Sequence, residues 1–464
     1  MKPVVFVPGL PGSELFDAAN GERLFLNLGL LISKTARQKL LPRLAGPNDP
    51  AVPDGVVAGQ PIADVLDLPL FDLGKQAQSL YDVLRKLGYL GFRSPFGSHF
   101  RAVGWDWRLP VDHSVVQGAL AGAIDDLFTS TGQRVVPIVH STGGLVLRAL
   151  LEARPALADK IDRVLSLGVP WAGTLKSFRF LAGNTGFFPL TKAETQHTIG
   201  RSWAAFDLLP PDPAKTPDAP ELFFKSNGQA ASPLVERSWI PAGSDRAPMV
   251  ARAQRSDQQF GQRSRRLEPG GRPLPITLVA GWGAATDTAA RLVGGGKVQF
   301  ESTPEGDGTI PFVSASWLRG VSPFFAPLGF YPGDNLPEHH ATIWDTPPVK
   351  DLLAELLTGA PHRDFAHAAV DPDDATNQRD QVRVRVVALD GAGNPLPAAT
   401  VRITELSGAA DPPSPVGGDG RGEVRVARNR MRVVTVGSAR FLRFTVTIDW
   451  NGGSSGPLTF SFRA

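Results

Sequence analysis

The 464-residue chain contains no cysteine, which excludes disulfide bonds, thiolate metal ligands and a cysteine nucleophile. It has no run of 18 consecutive apolar residues, so no transmembrane helix is predicted. The formal net charge is only +3 and no basic run stands out, so nucleic acid is not an expected partner. No signal-peptide pattern precedes the first apolar run at Val4, which predicts a cytoplasmic chain or a mature form trimmed of its leader.

Cofactor signatures are missing as well. Neither GxGxxG nor GxxxxGK[ST] follows a predicted strand, and no His/Asp/Glu cluster has metal-ligand spacing. We therefore expect no nucleotide cofactor and no metal ion. The length and the 42% hydrophobic content fit one large globular domain with a smaller one.

One stretch combines a buried strand, a sharp turn and a helix. Residues 135–139 form an apolar, β-branched run, HSTGG follows at 140–144, and leucines recur at helical spacing through 145–151. This is the layout of a nucleophile elbow, in which Ser141 is exposed by the turn and the N–H of Thr142 can face an oxyanion. The usual GxSxG reads VHSTG here, with valine in place of the first glycine. The alternative is an ordinary strand–helix junction whose serine does no chemistry.

The N-terminal strand is followed by a second candidate for the same chemistry. Val4–Val7 is a short apolar run that the sequence PGLPG breaks. Hydrolases of the α/β class place their second oxyanion-hole amide in such a turn. The N–H of Leu10 is our candidate donor, since Pro11 has none. A plain strand-to-loop turn is the alternative.

An acid and a histidine follow the elbow in the order that α/β hydrolases use. A serine hydroxyl needs a nearby base, and the base needs a carboxylate to hold its tautomer. Asp307 lies between two glycines in a turn, and a histidine pair precedes the last helix of this region. The order Ser141, Asp307, His340 predicts a catalytic triad.

The base is predicted to be His340, with His339 in reserve. The apolar residues Ile343 and Trp344, which would bury the loop, follow His340 at three and four residues. His140 is beside the nucleophile, but we expect its side chain to point away from that of Ser141 on the sharp turn.

Three residues are candidates for a pocket wall. Trp105 ends a predicted strand, Arg101 to Trp105, and Asp106 begins the loop after it. Trp171 follows another buried strand. Ligands bind beyond the carboxyl ends of the strands in open α/β sheets. For Asp106 and Arg108, a structural ion pair under an aromatic lid is the favoured alternative.

The pattern along the chain predicts an α/β-hydrolase fold, with a doubly wound sheet over residues 1–358. Residues 16–73 are predicted to hold short helices and loops. Residues 175–270 are too long for a connection and predict an inserted cap, whose aromatic side chains suit a hydrophobic substrate or form the cap's own core. Residues 359–380 are polar and aperiodic, which predicts a linker. Alternating short strands over 381–464 predict a small all-β, Ig-like sandwich, either a spacer or a docking module.

Several segments together resemble the lecithin:cholesterol acyltransferase family, which includes the lysosomal phospholipase A2 group. In register over about residues 1–358, these segments are VVFVPGLPGSEL, GWDWRLP, VHSTGG, SLGVPWAGTLKS, LAGNTGFFP, EGDGTIP and HHATIW. The resemblance implies Ser141 as nucleophile, Asp307 as orienting acid and His340 as base. It also implies an oxyanion hole formed by the amides of Leu10 and Thr142. The family's cap cysteines have no counterpart, so packing would hold the cap.

The resemblance and the triad order together predict a serine hydrolase or acyltransferase that works through an acyl-Ser141 intermediate. A lipid or another ester would donate the acyl group, with peripheral contact at a membrane or lipid surface. Water or an alcohol would accept the acyl group. The alternatives are an esterase or peptidase for small soluble substrates, and a silent hydrolase-fold scaffold that binds through its β-sandwich.

Overall fold

The computed structural model describes the chain apart from short gaps and several longer segments. The residues outside the description are 26, 28–33, 63–75, 90–98, 188–189, 217–218, 237, 240–248, 252–265, 294–296, 304, 320, 322–323, 329–339, 360–361, 371–379, 392–394, 405, 407–411, 419–420, 437–438, 456 and 464.

The strands of the first 358 residues are numbered in chain order. They are β1 Val4–Val7, β2 Ser13–Asp17, β3 Arg23–Phe25, β4 Val56–Pro61, β5 Phe100–Ala102, β6 Val136–His140, β7 Val164–Leu167, β8 Phe223–Phe224, β9 Ala230–Ala231, β10 Ile276–Trp282, β11 Thr286–Val293, β12 Lys297–Thr303 and β13 Phe324–Pro327.

The helices are numbered in the same way. They are α1 Lys34–Leu44, α2 Gln76–Lys86, α3 Ser114–Thr131, α4 Gly143–Ala153, α5 Leu175–Leu181, α6 Lys192–His197, α7 Trp203–Asp207, α8 Phe312–Ala315 and α9 Pro347–Thr358. Short 3-10 turns lie at Pro155–Lys160, Ile199–Arg201, Pro269–Gly271, His340–Asp345 and Arg428–Arg430.

A parallel sheet in the order β13-β10-β7-β6-β1-β5 forms the centre of this region. Both of its faces are covered, as alternate residues of β1 show. Val5 and Val7 pack in one apolar cluster with residues of α3 and α4. Val4 and Phe6 pack in another cluster with residues of α2 and α9. Because successive side chains of a strand point to opposite faces, a strand covered on both sides must be apolar throughout. The predicted parallel α/β sheet is confirmed.

The prediction for residues 16–73 is wrong in part. In the described residues, β3, β2 and β4 form a small antiparallel sheet beside α1. These strands are short and their pairing contains register shifts, so the apolar residues do not alternate regularly. The edge strand β13 of the central sheet was also not predicted.

The cap predicted at 175–270 contains α5, α6 and α7, and much of its apolar content forms its own core. Phe178, Trp203, Phe206 and Leu209 lie in one buried cluster with residues of β8 and β11. The hairpin of β11 and β12 joins β8 and β9 in a four-stranded sheet. This sheet therefore extends to residue 303, beyond the predicted end of the cap.

The C-terminal region consists of antiparallel strands. They are β14 His362–Val370, β15 Gln381–Gly391, β16 Thr400–Thr404, β17 Ser414–Pro415, β18 Arg421–Ala427, β19 Arg432–Val436, β20 Ala439–Trp450, β21 Gly453–Ser454 and β22 Leu458–Arg463.

Two sheets form from these strands. One has the order β14-β15-β18, and the other has the order β17-β16-β20-β19 with β21 and β22 paired to β20. Both sheets contribute to a single buried apolar cluster, which also contains Ile310 and Phe312 of the first region. The segment 359–380, predicted as a linker, contains the strand β14, which pairs with β15. The strand was not predicted because its sequence begins with the polar residues His-Arg-Asp. Hydrogen bonds to β15 hold it in the sheet.

Candidate active site

Ser141 occupies a strained turn between β6 and α4. Its φ is 52°, a left-handed conformation that non-glycine residues seldom adopt. Such strain is retained where the surrounding structure fixes the residue, and here the Ser141 N–H donates to the Leu167 carbonyl at 3.1 Å. The local geometry is that of a nucleophile elbow, as the strand–turn–helix pattern predicts.

The turn after β1 lies directly against the serine. A Cβ added to Gly9 would come within 2.5 Å of the Ser141 Cβ and 3.0 Å of its Oγ. A Cβ on Gly143 would come within 2.4 Å of the Val7 carbonyl oxygen. Glycine at these two positions therefore lets the N-terminal turn and the elbow approach each other closely.

Both candidate oxyanion donors lie at this contact. Among the described residues, neither the N–H of Leu10 nor that of Thr142 donates a hydrogen bond. Two backbone donors without an internal acceptor, beside a serine at the start of α4, are suited to an anionic oxygen.

Asp307 follows β12 in the chain and is fully buried. In space it lies beyond the end of β10, where it forms a bridge with Ala284. One carboxylate oxygen, Oδ1, accepts the backbone N–H groups of Thr309 at 3.0 Å and Ile310 at 2.7 Å. The other oxygen, Oδ2, lies 2.7 Å from Nδ1 of His340. The turn thus fixes the carboxylate and leaves one oxygen to orient the imidazole.

His340 begins the 3-10 turn after β13 and is only 8% exposed. Because Nδ1 faces Asp307, the other ring nitrogen, Nε2, is left for a substrate or nucleophile. Nε2 is buried and forms no hydrogen bond within the described part of the chain. Ser141 and His340 are not hydrogen-bonded to each other, a looseness common in active sites without substrate. His339, the reserve candidate, lies outside the described residues.

Gly168, at the end of β7, makes the contact between acid and histidine possible. A Cβ at this position would lie 2.8 Å from Asp307 Oδ2 and 3.1 Å from His340 Nδ1. The residue also has a φ of 56°. The sequence marks it only as the glycine after a buried strand, so its role there was not predicted.

His140 contributes more to the site than its sequence position indicated. Its Nε2 lies 2.9 Å from the backbone carbonyl oxygen of His340, and the two rings lie 4.6 Å apart. Burial, followed by the neighbouring His340, holds the pKa of His140 well below its ordinary 6.5. This contact could not be predicted from local pattern, because the partners are 200 residues apart.

The pocket candidates are packed into the protein interior. Trp105 donates from Nε1 to the Pro8 carbonyl at 2.9 Å, and Trp171 donates to Ser166 Oγ at 3.2 Å. Both indoles are at most 3% exposed, so they brace the loops rather than present an open wall.

Asp106 belongs to a buried ion-pair cluster, the favoured alternative in the sequence. Arg108 binds Asp106 at 2.9 and 2.7 Å and Asp54 at 2.6 and 3.0 Å. A fifth hydrogen bond runs to the Arg43 carbonyl at 2.8 Å. The guanidinium therefore uses all five of its N–H donors.

No group of three or more His, Cys, Asp or Glu side chains in the described part of the chain could hold a metal ion. No helix there is long and apolar enough to cross a membrane.

Comparison with known proteins finds a family match around the elbow. Residues 55–231 match the family model described as lecithin:cholesterol acyltransferase. The matched region contains Ser141 and Thr142, whereas Leu10, Asp307 and His340 lie outside it.

Two relatives show the same resemblance. The lysosomal phospholipase A and acyltransferase of Rattus norvegicus is 29% identical over 168 residues, covering 34% of this chain and 40% of that protein. The phosphatidylcholine-sterol acyltransferase of Mus musculus is 40% identical over 85 residues, covering 18% of this chain and 19% of that protein. The chain thus spans less than half the length of these relatives.

Among solved structures, the Tle4–Tli4 complex matches with a TM-score of 0.47 and 14% identity. The match covers 77% of this chain and 98% of that chain.

Proposed function

We propose that the protein is a serine-dependent lipid acyl hydrolase or O-acyltransferase with Ser141, Asp307 and His340 as its triad. The observation that carries the proposal is the 2.7 Å contact between Asp307 and Nδ1 of His340, formed beside an elbow serine with a φ of 52°. The family match over residues 55–231, and the acyltransferase activities named for two similar proteins, support an acyl group as the transferred unit.

The proposed reaction has two stages. In the first, Ser141 Oγ attacks the ester carbonyl while His340 Nε2 takes the hydroxyl proton, and Asp307 stabilises the imidazolium. The N–H groups of Leu10 and Thr142 bind the tetrahedral oxyanion. The C–O bond to the leaving alcohol then breaks, and that alcohol receives the proton from His340.

In the second stage, water or an alcohol attacks the acyl-Ser141 ester and gives its proton to His340. Collapse of the second tetrahedral intermediate returns that proton to Ser141 and releases a fatty acid or a new ester. The choice between the two products depends on how well the site excludes water.

The test is acyl release from phosphatidylcholine vesicles with a long-chain alcohol present, for the wild type beside Ser141→Ala. A fluorophosphonate probe would report Ser141 independently. Serine-dependent release supports the proposal, and the ratio of free acid to new ester separates hydrolase from transferase. A strong preference for short p-nitrophenyl esters would instead indicate an esterase for small soluble esters. No release and no labelling would leave a silent scaffold.

We further propose that the C-terminal sheets form a β-sandwich that brings the enzyme to an anionic lipid surface. Both sheets share one apolar cluster, as the layers of a sandwich do. Residues 381–464 contain eleven arginines, no lysine and six acidic residues. An excess of arginine favours anionic headgroups, and flotation with and without phosphatidylserine tests this role.

A further inference from the structure

We propose that His140 is a positioning residue that holds the base against the nucleophile elbow. It would do so by donating a hydrogen bond from Nε2 to the backbone carbonyl of His340 and by supporting the His340 ring with its own. This inference rests on the proposed role of His340 as the base.

The hydrogen bond determines the state of the His140 ring. Nε2 lies 2.9 Å from the His340 carbonyl oxygen, and a carbonyl oxygen can only accept. Nε2 therefore carries the proton, and a neutral ring has its other nitrogen bare. A neutral neighbour is favourable here, because a charged one would oppose proton uptake by His340 during the reaction.

The rings form a packed set. The His140 ring lies 4.6 Å from that of His340 with an interplanar angle of 34°. On another side, Trp344 meets His140 edge to face at 4.8 Å. Trp344 is itself fixed, since its Nε1 donates to Ser79 Oγ at 2.7 Å. His140 is 3% exposed, so its ring has little freedom to turn away.

His140 also connects the two halves of the proposed catalytic pair. It is the last residue of β6 and pairs with Leu167 of β7 in the central sheet, and Ser141 is the next residue. His340, by contrast, lies on a turn remote in sequence. One side chain thus ties the turn that carries the base to the strand that carries the nucleophile, and this sets their separation.

Two variants separate the hydrogen bond from the ring. His140→Gln keeps a side-chain N–H donor of similar reach, whereas His140→Phe keeps an aromatic ring and loses the donor. With p-nitrophenyl laurate, we expect His140→Phe to lower kcat on the order of ten- to a hundredfold with little change in KM. We expect His140→Gln to recover most of that loss. The low-pH limb of kcat/KM should persist in both variants, since His140 is not the base.

Three results would overturn the inference. The first is a wild-type rate for His140→Phe. The second is an equal loss in both variants that merely follows their melting temperatures, which would indicate a structural role only. The third is loss of the low-pH limb, which would make His140 the base.

A spectroscopic arm does not need activity. In Ser141→Ala protein with ¹⁵N-labelled histidine, we expect His140 as the Nε2–H tautomer, and His140→Phe should move or broaden the Nδ1–H signal of His340. A bare Nε2 or an unmoved His340 signal would contradict the inference. If the wild type is not labelled by the fluorophosphonate, the proposed function fails, while this arm still tests the contact.

Discussion

Two buried polar clusters of this molecule differ in how completely their hydrogen bonds are formed. In the cluster around Arg108, every guanidinium donor has an acceptor, and the planar group meets both carboxylates through paired contacts. In the cluster around His340, the buried Nε2 has no partner in the described residues, and neither has the hydroxyl of Thr142.

We infer from this difference that the Arg108 cluster supports the fold and that the His340 cluster serves the proposed reaction. A buried polar group without a partner is costly, so a satisfied cluster stabilises the fold and an unsatisfied one is kept for another reason. The free groups lie beside the strained Ser141, whereas Arg108 joins the loop after β5 to the segment before β4. We therefore expect substitutions in the two clusters to affect different measurements.

The largest expected effect is on rate and comes from Ser141→Ala. Removing the nucleophile of a triad lowers kcat on the order of 10⁵-fold or more. The free energy of unfolding should hardly change, because the hydroxyl forms no hydrogen bond in the described residues. Acyl release and thermal melting measure the two quantities. Ser166→Ala is the matched control, since it removes a buried serine on the next strand and should leave fluorophosphonate labelling intact.

The second effect is on stability and comes from Arg108→Met. Asp54 and Asp106 would lose their shared cation, and breaking a buried ion pair from one side costs about 3–5 kcal/mol of unfolding free energy. Urea denaturation measures this loss. The rate per folded molecule should stay near that of the wild type. A rate that falls while the free energy of unfolding is unchanged would indicate a catalytic role for the Arg108 cluster. The proposed difference between the Arg108 and His340 clusters would then be wrong.

Gly168→Ala tests how tightly the acid and the base are placed. The new methyl group would collide with Asp307 Oδ2 and His340 Nδ1, and a displacement near 1 Å can cost about a hundredfold in rate. Gly132→Ala is the matched control, because its φ is 65° and nothing lies within 4 Å of the added Cβ. It should cost about 1–2 kcal/mol of stability and no rate. Equal rates in the two variants would contradict the close-approach argument.

The smallest effect is on the acid stability of the Arg108 cluster. Burial raises the pKa of Asp54, but the hydrogen bonds and charge of Arg108 outweigh it, and the net pKa lies below its ordinary 3.8. A lowered folded-state pKa contributes stability above pH 3.8 that is lost as the pH falls toward the folded value. Asp54→Asn should flatten this slope in unfolding measured between about pH 4 and 2. An unchanged slope would place the acid sensitivity elsewhere.

Local pattern was enough to predict the parallel sheet and the strand, turn and helix around Ser141. Val135 to Val139 is apolar at every position, as a strand covered on both faces must be, and the turn after it contains two glycines. The choice of Ser141, Asp307 and His340 as a proposed triad also rested on local signals, since each lies in a loop with its own sequence pattern. These predictions needed no knowledge of which distant segments meet.

Contacts between segments distant in the chain could not be predicted from the sequence. The ring of His140 meets that of His340 only because the end of β6 and the turn that carries His340 converge. Gly168 matters only because two side chains approach it in space. The strand β14 was not predicted for the same reason. Its sequence includes polar residues that do not indicate a strand, and pairing with β15 stabilises it. The apolar cap residues were ambiguous for the same reason, and most of those described fill the cap's own core.

The shared cluster of Ile310, Phe312 and the C-terminal strands bears on how the protein would be inactivated by heat. The N–H of Ile310 is one of the two that hold the Asp307 carboxylate. If the antiparallel sheets melt first, Ile310 and Phe312 lose part of their packing and the carboxylate loses its support, although the parallel sheet keeps helices on both faces. The upper temperature limit of activity would then be set by a part of the chain that contains none of the proposed triad.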